Sequence, residues 1–194
     1  MSTYTAKIFW KSDSAEAFAK NQYSRGHAWG FDGGVMIPAS SSPHSVRVPY
    51  SIEAAVDPEE ALVASASSCH MLTFLWLAGK AGFNIGSYTD EAVGEMTAME
   101  DGRQWMSTIT LDPQIEWVGE APTAEQLVDL HHRAHEQCYI ANSIKSEVIV
   151  SEPGAVATGF FYHQSKSGNA RVTSESFHVS VVAVNEPSRY RSRF

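Results

Sequence analysis

The longest feature in the hydrophobic pattern is the stretch Ala61–Gly79, which contains no Lys, Arg, Asp or Glu. Helix-start signals stand just before it. Asp57 is a good N-cap, Pro58 suits the first helical position, and Glu60 follows the cap by three residues. Gly82 suits the end of the helix. The pattern therefore predicts a helix of about 24 residues, or roughly 36 Å at the standard rise.

Alternation of polar and apolar residues predicts strands on both sides of this helix. Residues 3–11, TYTAKIFWK, are typical of an opening strand, and FDGG at 31–34 predicts a hairpin turn. Asp101-Gly102 marks a second hairpin turn. The strand-like runs beyond the helix are Ser87–Met99, Trp105–Ile115 and Ser146–Val150.

A second helix is predicted between the last two of these runs. Thr123 is its N-cap, and Gln126 completes a capping box. We expect it to run to about Ile140, with Asn142 as its C-cap. The order of a β-rich region, a long helix, strands, a helix and a strand is an α+β pattern.

The composition is that of one globular domain of 194 residues, 43% of them hydrophobic and 19% charged. A net charge of −8 argues against nucleic acid as a main partner, because phosphate binding needs clustered Lys and Arg. Two cysteines do not make a disulfide scaffold, and the start, MSTYTAKIFWKSDS, lacks the order of a secretory signal. We therefore expect a cytoplasmic protein whose thiols rest reduced unless they work as a redox pair.

The uncharged helix meets the length criterion for a membrane span, but its composition argues against one. Ser, Thr and His interrupt the segment and several positions are small, so its insertion energy would be marginal. The alternative is a helix buried on nearly every side, which one small domain hardly provides. The pattern therefore favours a partner chain that covers the helix inside a dimer.

Each of the two predicted helices carries one cysteine on a defined face. Cys69 shares a stripe with Glu59, and Cys138 shares one with His131 and His135. Both thiols suit an inert role in the core, since free cysteines are commonly buried. The spacing alone leaves this interpretation open beside that of a reactive pair.

A reactive Cys69 would need a cation, because an apolar helix raises the pKa of a thiol. The cysteine also lies too far from the helix start for the dipole to help. Arg25, in the loop YSRGHAW, is the best candidate within the first 56 residues. A buried Arg needs a carboxylate, and Glu59 is available, although roughly 15 Å from Cys69 along the helix. Arg25 must therefore bridge the gap, or a second subunit must supply one of the groups.

Two segments, DPEEALVASASSCH at 57–70 and AHEQCYIANSIKSEVIV at 134–150, resemble the OsmC/Ohr family of thiol peroxidases. The first resembles that family's helix start and first cysteine. The second resembles its second-cysteine helix and the strand that follows. The resemblance covers about residues 5–152. It implies an intertwined homodimer of α+β chains, with long central helices wrapped by antiparallel sheets.

The resemblance also implies a reaction, the reduction of organic hydroperoxides to alcohols. By position, Cys69 would be the peroxidatic thiol and Cys138 the resolving one, and Glu59 and Arg25 match the family's glutamate and catalytic arginine. No cofactor is implied; an external dithiol, such as a lipoylated protein, would reduce the disulfide. Apolar residues that would line a substrate pocket, or simply fill the core, are Met71, Phe74, Trp76 and Phe83.

Two other classes of function stay open from the sequence. His131, His135 and Cys138 are spaced to present three metal ligands on one helical face, and Cys69 or His70 would complete a zinc site. The sequence contains neither CxxC nor HExxH, which argues against this hypothesis. The other class is a ligand-binding or stress protein that keeps the fold without turnover.

The last part of the chain, residues 153–194, departs from the family pattern. It is predicted to be a C-terminal extension to the family-like domain at 1–152. Two strand-like runs, Ala155–Tyr162 and Phe177–Val184, precede an Arg-containing tail there.

Overall fold

The computed structural model describes residues 1–151, so the predicted extension at 153–194 lies outside the described residues. The described part has an α+β fold, as predicted. Its strands are β1 Ala6–Phe9, β2 His27–Phe31, β3 Met36–Ala39, β4 Ile85–Asp90, β5 Val93–Ala98, β6 Gln104–Leu111, β7 Pro113–Trp117 and β8 Glu147–Val150. Its helices are α1 Ala15–Ala19, α2 Pro58–Lys80, α3 Ala124–Gln137 and α4 Tyr139–Ser143.

The strands of this part form three small sheets. β1, β2 and β3 are antiparallel, and the predicted hairpin closes between β2 and β3 through a bond from Phe31 N–H to the Val35 carbonyl (3.0 Å). β4 pairs with β7, and β6 lies between β5 and β8. The predicted turn at Asp101-Gly102 joins β5 to β6, where Gly102 has a positive φ. β8 runs parallel to β6, which departs from the antiparallel sheets that we expected.

The prediction of single strands at Ser87–Met99 and Trp105–Ile115 was wrong. Each run divides into two strands that belong to different sheets. The breaks face one another: the Asp90 carboxylate accepts the Asp112 backbone N–H (2.7 Å) and also the Ser67 hydroxyl of α2. The Asp90 side chain thus connects α2 to both places where a predicted run divides, and the strands change sheet at these places.

α2 begins and ends as its sequence predicts. Asp57 caps it, with the Glu60 N–H bonding to the Asp57 side chain (2.8 Å) and the Glu60 carboxylate accepting from the Asp57 N–H (3.0 Å). At the other end, the Gly82 N–H reaches the Gly79 carbonyl and the Phe83 N–H the Ala78 carbonyl. This Schellman arrangement needs the positive φ of Gly82.

The second helix ends earlier than predicted. α3 stops at Gln137, and Cys138 is extended (φ −71°, ψ 112°) before α4 begins. The reason is local capping: the Cys138 sulfur accepts the Ala141 N–H (3.4 Å), and the Asn142 side-chain amide donates to the Glu136 and Cys138 carbonyls. Cys138 therefore stands at a corner between two helices rather than on the face of one.

The core lies in two clusters along α2. Phe74, Leu77 and Ala78 pack against α3, while Ala66 packs with the buried residues of β6. The opposite side of α2 is open, since Leu72 is 63% and Trp76 52% exposed. By length and composition, α2 would also be able to cross a membrane, a test that core helices of soluble proteins pass as well.

Candidate active site

The two thiols lie next to each other in the described domain, and both are free. Cys69 is half-buried in the middle of α2, and Cys138 is buried at the α3–α4 corner. The side chain of Cys69 is close enough to the Cys138 thiol to raise its pKa. Two sulfurs in this relationship can be joined by a disulfide if one of them is oxidised.

The surroundings of Cys138 keep its thiol protonated. Burial raises its pKa to about 11, and the hydrogen bond and charge of Cys69 act in the same direction. The N–H of Ala141, which points at the sulfur, opposes this effect but does not outweigh it. Cys138 is therefore a poor nucleophile at rest, since the thiolate is the reactive form.

Arg25 is held within its own loop. Its guanidinium donates to the Tyr23 carbonyl and the Asn21 side chain, both at 2.6 Å, and lies 3.9 Å from the centroid of the Tyr23 ring. A cavity of about 450 Å³ opens beside it, walled by aromatic side chains and by Pro58 at the start of α2. The fold therefore brings Arg25 near the helix start.

Glu59 faces a different space. It lines a groove of about 1280 Å³ along α2, together with Val63 and Ser67. No ion pair joins Arg25 to Glu59 among residues 1–151 of one chain. Within one described chain, the two cysteines therefore lie together, whereas the predicted ion pair between Arg25 and Glu59 is not formed.

The residues predicted to line a substrate pocket occupy varied positions. Phe74 is fully buried, and Phe83 packs against the same cluster, 5.9 Å from the Trp117 ring. Met71 is half-buried. Trp76 is exposed, and the Lys80 ammonium lies 4.3 Å from the centroid of its ring. Phe74 and Phe83 serve the core in this chain, and a pocket role for any of them stays a prediction.

The hypothesis of a zinc site finds no geometric support in residues 1–151. They contain no group of three or more His, Cys, Asp or Glu side chains placed to hold one ion. The helical stripe that suggested the site is broken, because Cys138 leaves α3 at the corner. His131 is also engaged, with its Nδ1 atom 3.0 Å from Nε2 of His70.

This pair of histidines is the feature that sequence reasoning missed. Their rings stack almost parallel, 5.4 Å apart at 8°, and both residues are buried. Burial lowers the pKa of His70 to about 3 and that of His131 to about 4, so both are neutral at pH 7. The zinc hypothesis named both residues as ligands of one site, but no sequence signal indicated a direct bond between positions 61 residues apart.

Comparison with known proteins gives a consistent result. The family model described as OsmC-like protein matches residues 52–152. The chain is similar to an OsmC-like protein of unknown function from Vibrio cholerae, with 51% identity and a TM-score of 0.74 over 78% of this chain and 99% of that one. No curated protein matches it.

Two organic hydroperoxide resistance proteins share the fold at lower identity. The one from Elizabethkingia anophelis, with thiocyanate bound, is 18% identical, with a TM-score of 0.55 over 78% of this chain and 99% of that one. The one from Legionella pneumophila is 15% identical, with a TM-score of 0.51 over 78% and 96%. At these identities the likeness concerns the fold.

Proposed function

Because the chain belongs to the OsmC-like protein family, we propose that it is a thiol-dependent peroxidase that reduces organic hydroperoxides to alcohols. The observation that carries the proposal is the proximity of two free thiols, Cys69 on α2 and Cys138 at the corner between α3 and α4. The names of the two hydroperoxide resistance proteins with this fold point to the same substrate class.

The reaction follows from the chemistry of the two sulfurs. The Cys69 thiolate attacks the distal oxygen of the hydroperoxide, the O–O bond breaks, and the alcohol leaves with Cys69 as a sulfenic acid. Cys138 then attacks the Cys69 sulfur, which forms a disulfide and releases water. An external dithiol, such as a lipoylated protein, exchanges with this disulfide and restores both thiols. No bound cofactor takes part.

The remaining groups require a second chain. Arg25 and Glu59 form no ion pair within one described chain, and α2 leaves the apolar side chains of Leu72 and Trp76 exposed. We therefore propose a homodimer that covers this side of α2 and brings Arg25, paired with Glu59 of either subunit, to Cys69. There the guanidinium would stabilise the thiolate and polarise the peroxide.

The test is mass spectrometry after the reduced protein receives one equivalent of cumene hydroperoxide. We expect a Cys69–Cys138 disulfide in the native protein, a dimedone-trappable sulfenic acid in Cys138→Ser, and neither in Cys69→Ser. Peroxide consumption with dihydrolipoamide as reductant measures turnover. Unmodified cysteines and no peroxide loss would instead indicate a ligand-binding protein that keeps the fold without catalysis.

A further inference from the structure

The residue after Cys69 makes a directional contact with α3. His70 is 1% exposed, and its Nε2 atom lies 3.0 Å from Nδ1 of His131. Both imidazoles are neutral, so one ring donates and the other accepts. The other ring nitrogen of His70, Nδ1, is buried without a hydrogen-bond partner. The bond from Nε2 to His131 is therefore the one side-chain hydrogen bond that His70 makes among the described residues.

Apart from His135, which also lowers the pKa of His70, apolar side chains surround this bond. His131 stacks on Phe74 with ring centroids 4.3 Å apart, and its neighbours Leu130 and Ala134 are in the same core cluster. The hydrophobic effect is non-directional and depends mainly on the area buried, so it specifies the relative position of two helices less sharply than a hydrogen bond does. A hydrogen bond weakens steeply with distance and angle, so this one fixes how far α3 is advanced and rotated on α2.

The position of α3 on α2 also determines the position of Cys138. From His131 to Cys138 is two helical turns, roughly 10 Å of rise. Cys138 is bound to the end of α3 through its N–H, which donates to the His135 carbonyl (3.2 Å), and through the Asn142 amide. A displacement of α3 therefore moves the Cys138 sulfur by a similar amount, while Cys69 stays on α2.

We propose that His70 and His131 are positioning residues for the resolving step, in that their hydrogen bond holds Cys138 against the oxidised Cys69. The inference rests on the proposed function. In this step the Cys138 sulfur forms the S–S bond, the S–O bond of the Cys69 sulfenic acid breaks, and the oxygen leaves as water with the thiol proton. Neither histidine touches the reacting atoms; they act through the placement of α3.

The experiment separates this step from peroxide reduction. Quenched-flow mass spectrometry with cumene hydroperoxide gives the rate of sulfenic acid formation at Cys69 and, separately, that of disulfide formation. His131→Leu is expected to slow disulfide formation about tenfold and leave sulfenic acid formation unchanged within about twofold. A native protein whose Cys69 forms neither a sulfenic acid nor a disulfide would contradict the proposed function, whereas equal disulfide rates in native and variant protein would overturn this inference.

Amide variants supply a readout that a general packing role would not move. Asn places an amide atom where Nδ1 of histidine stands, and Gln places one near Nε2. At position 131, which bonds through Nδ1, we expect His131→Asn to resolve within about threefold of the native rate and His131→Gln to be about tenfold slower. At position 70, which bonds through Nε2, the order reverses, with His70→Gln faster than His70→Asn. The same order at both positions, or rescue at neither, would overturn the proposal.

Discussion

The side chain of Cys69, in the middle of α2, lies close enough to the thiol of Cys138, at the corner between α3 and α4, to raise the pKa of that thiol. The two helices differ in how they hold their cysteine. Cys69 is one residue within a continuous helix, while Cys138 has extended backbone and caps the helix that follows. The Cys138 thiol is thus placed by the junction of two elements, which also sets the burial that raises its pKa.

The first prediction concerns the pH dependence of disulfide formation. The pKa of Cys138 is raised to about 11, with burial as the largest cause, and burial persists after Cys69 has been oxidised. The thiolate fraction of Cys138 then grows about tenfold per pH unit below that value. We expect the rate constant from sulfenic acid to disulfide to rise about tenfold per unit between roughly pH 6 and 9, measured by quenched flow.

The control is Cys138→Ser, in which the sulfenic acid at Cys69 should persist at every pH. A disulfide rate that is constant across this range would contradict the prediction, because it would mean that Cys138 is already ionised near neutrality.

The second prediction concerns stability in acid. Folding lowers the pKa of His70 to about 3 and that of His131 to about 4, from 6.5. The unfolded chain therefore binds more protons than the folded one below about pH 6.5, so the stabilisation is complete above that pH and is lost as the pH falls toward 3–4. Each histidine should lower the free energy of unfolding by up to about 1.4 kcal/mol per pH unit.

Urea denaturation between pH 6.5 and 5 measures this slope before most carboxylates titrate. His131→Asn cannot be protonated in this range, so its mean slope should be about 1 kcal/mol per unit shallower than that of the native protein. His135, whose pKa is also lowered by burial, contributes equally to both proteins. Equal slopes in the two proteins would indicate that His131 is already charged in the folded state.

Those parts of the fold that depend on residues close in sequence were predictable. The start of α2 is set by Asp57 and Glu60, three residues apart, and its end by Gly82. The hairpin turns are equally local, because a positive φ at Gly34 or Gly102 is a property of the turn itself. Such interactions leave a pattern in the sequence because both partners lie in one short window.

The errors arose where a distant contact decides the structure. The polar–apolar alternation continues through Asp90 and Asp112, so periodicity alone could not reveal that two strands change sheet there. Helical spacing likewise continues through Cys138, although its side chain caps α4. The hydrogen bond between His70 and His131 joins two helices whose side chains the sequence related only through a proposed zinc site. The short α1, capped by Ser14, was not predicted at all.

The third prediction concerns the cap of α2. Asp57→Ala removes the side chain that accepts the Glu60 N–H, while the Glu60 carboxylate keeps its bond from the backbone N–H of residue 57. We expect a loss of about 1–2 kcal/mol in the free energy of unfolding. Asp57→Asn keeps an acceptor oxygen and should lose less than half as much. Both variants are compared by urea denaturation at one protein concentration, because the stability of a dimer depends on concentration. Equal losses in the two variants would show that the negative charge of Asp57, rather than its capping hydrogen bond, stabilises α2.

The last prediction tests whether α2 meets a second chain through its open side. Leu72 is 63% exposed in the middle of an otherwise uncharged helix, and Val118, beyond the end of β7, is exposed to a similar degree, 59%. A carboxylate buried without a partner is costly, so Leu72→Glu should weaken the homodimer by at least about tenfold in Kd. Val118→Glu adds the same charge away from α2 and should leave the Kd unchanged. Light scattering over a dilution series measures both, and a dimer that tolerates Leu72→Glu as well as Val118→Glu would mean that the partner covers a different surface. In that case Arg25 would have to reach Cys69 from another direction, and the assembly of the site would need a different explanation.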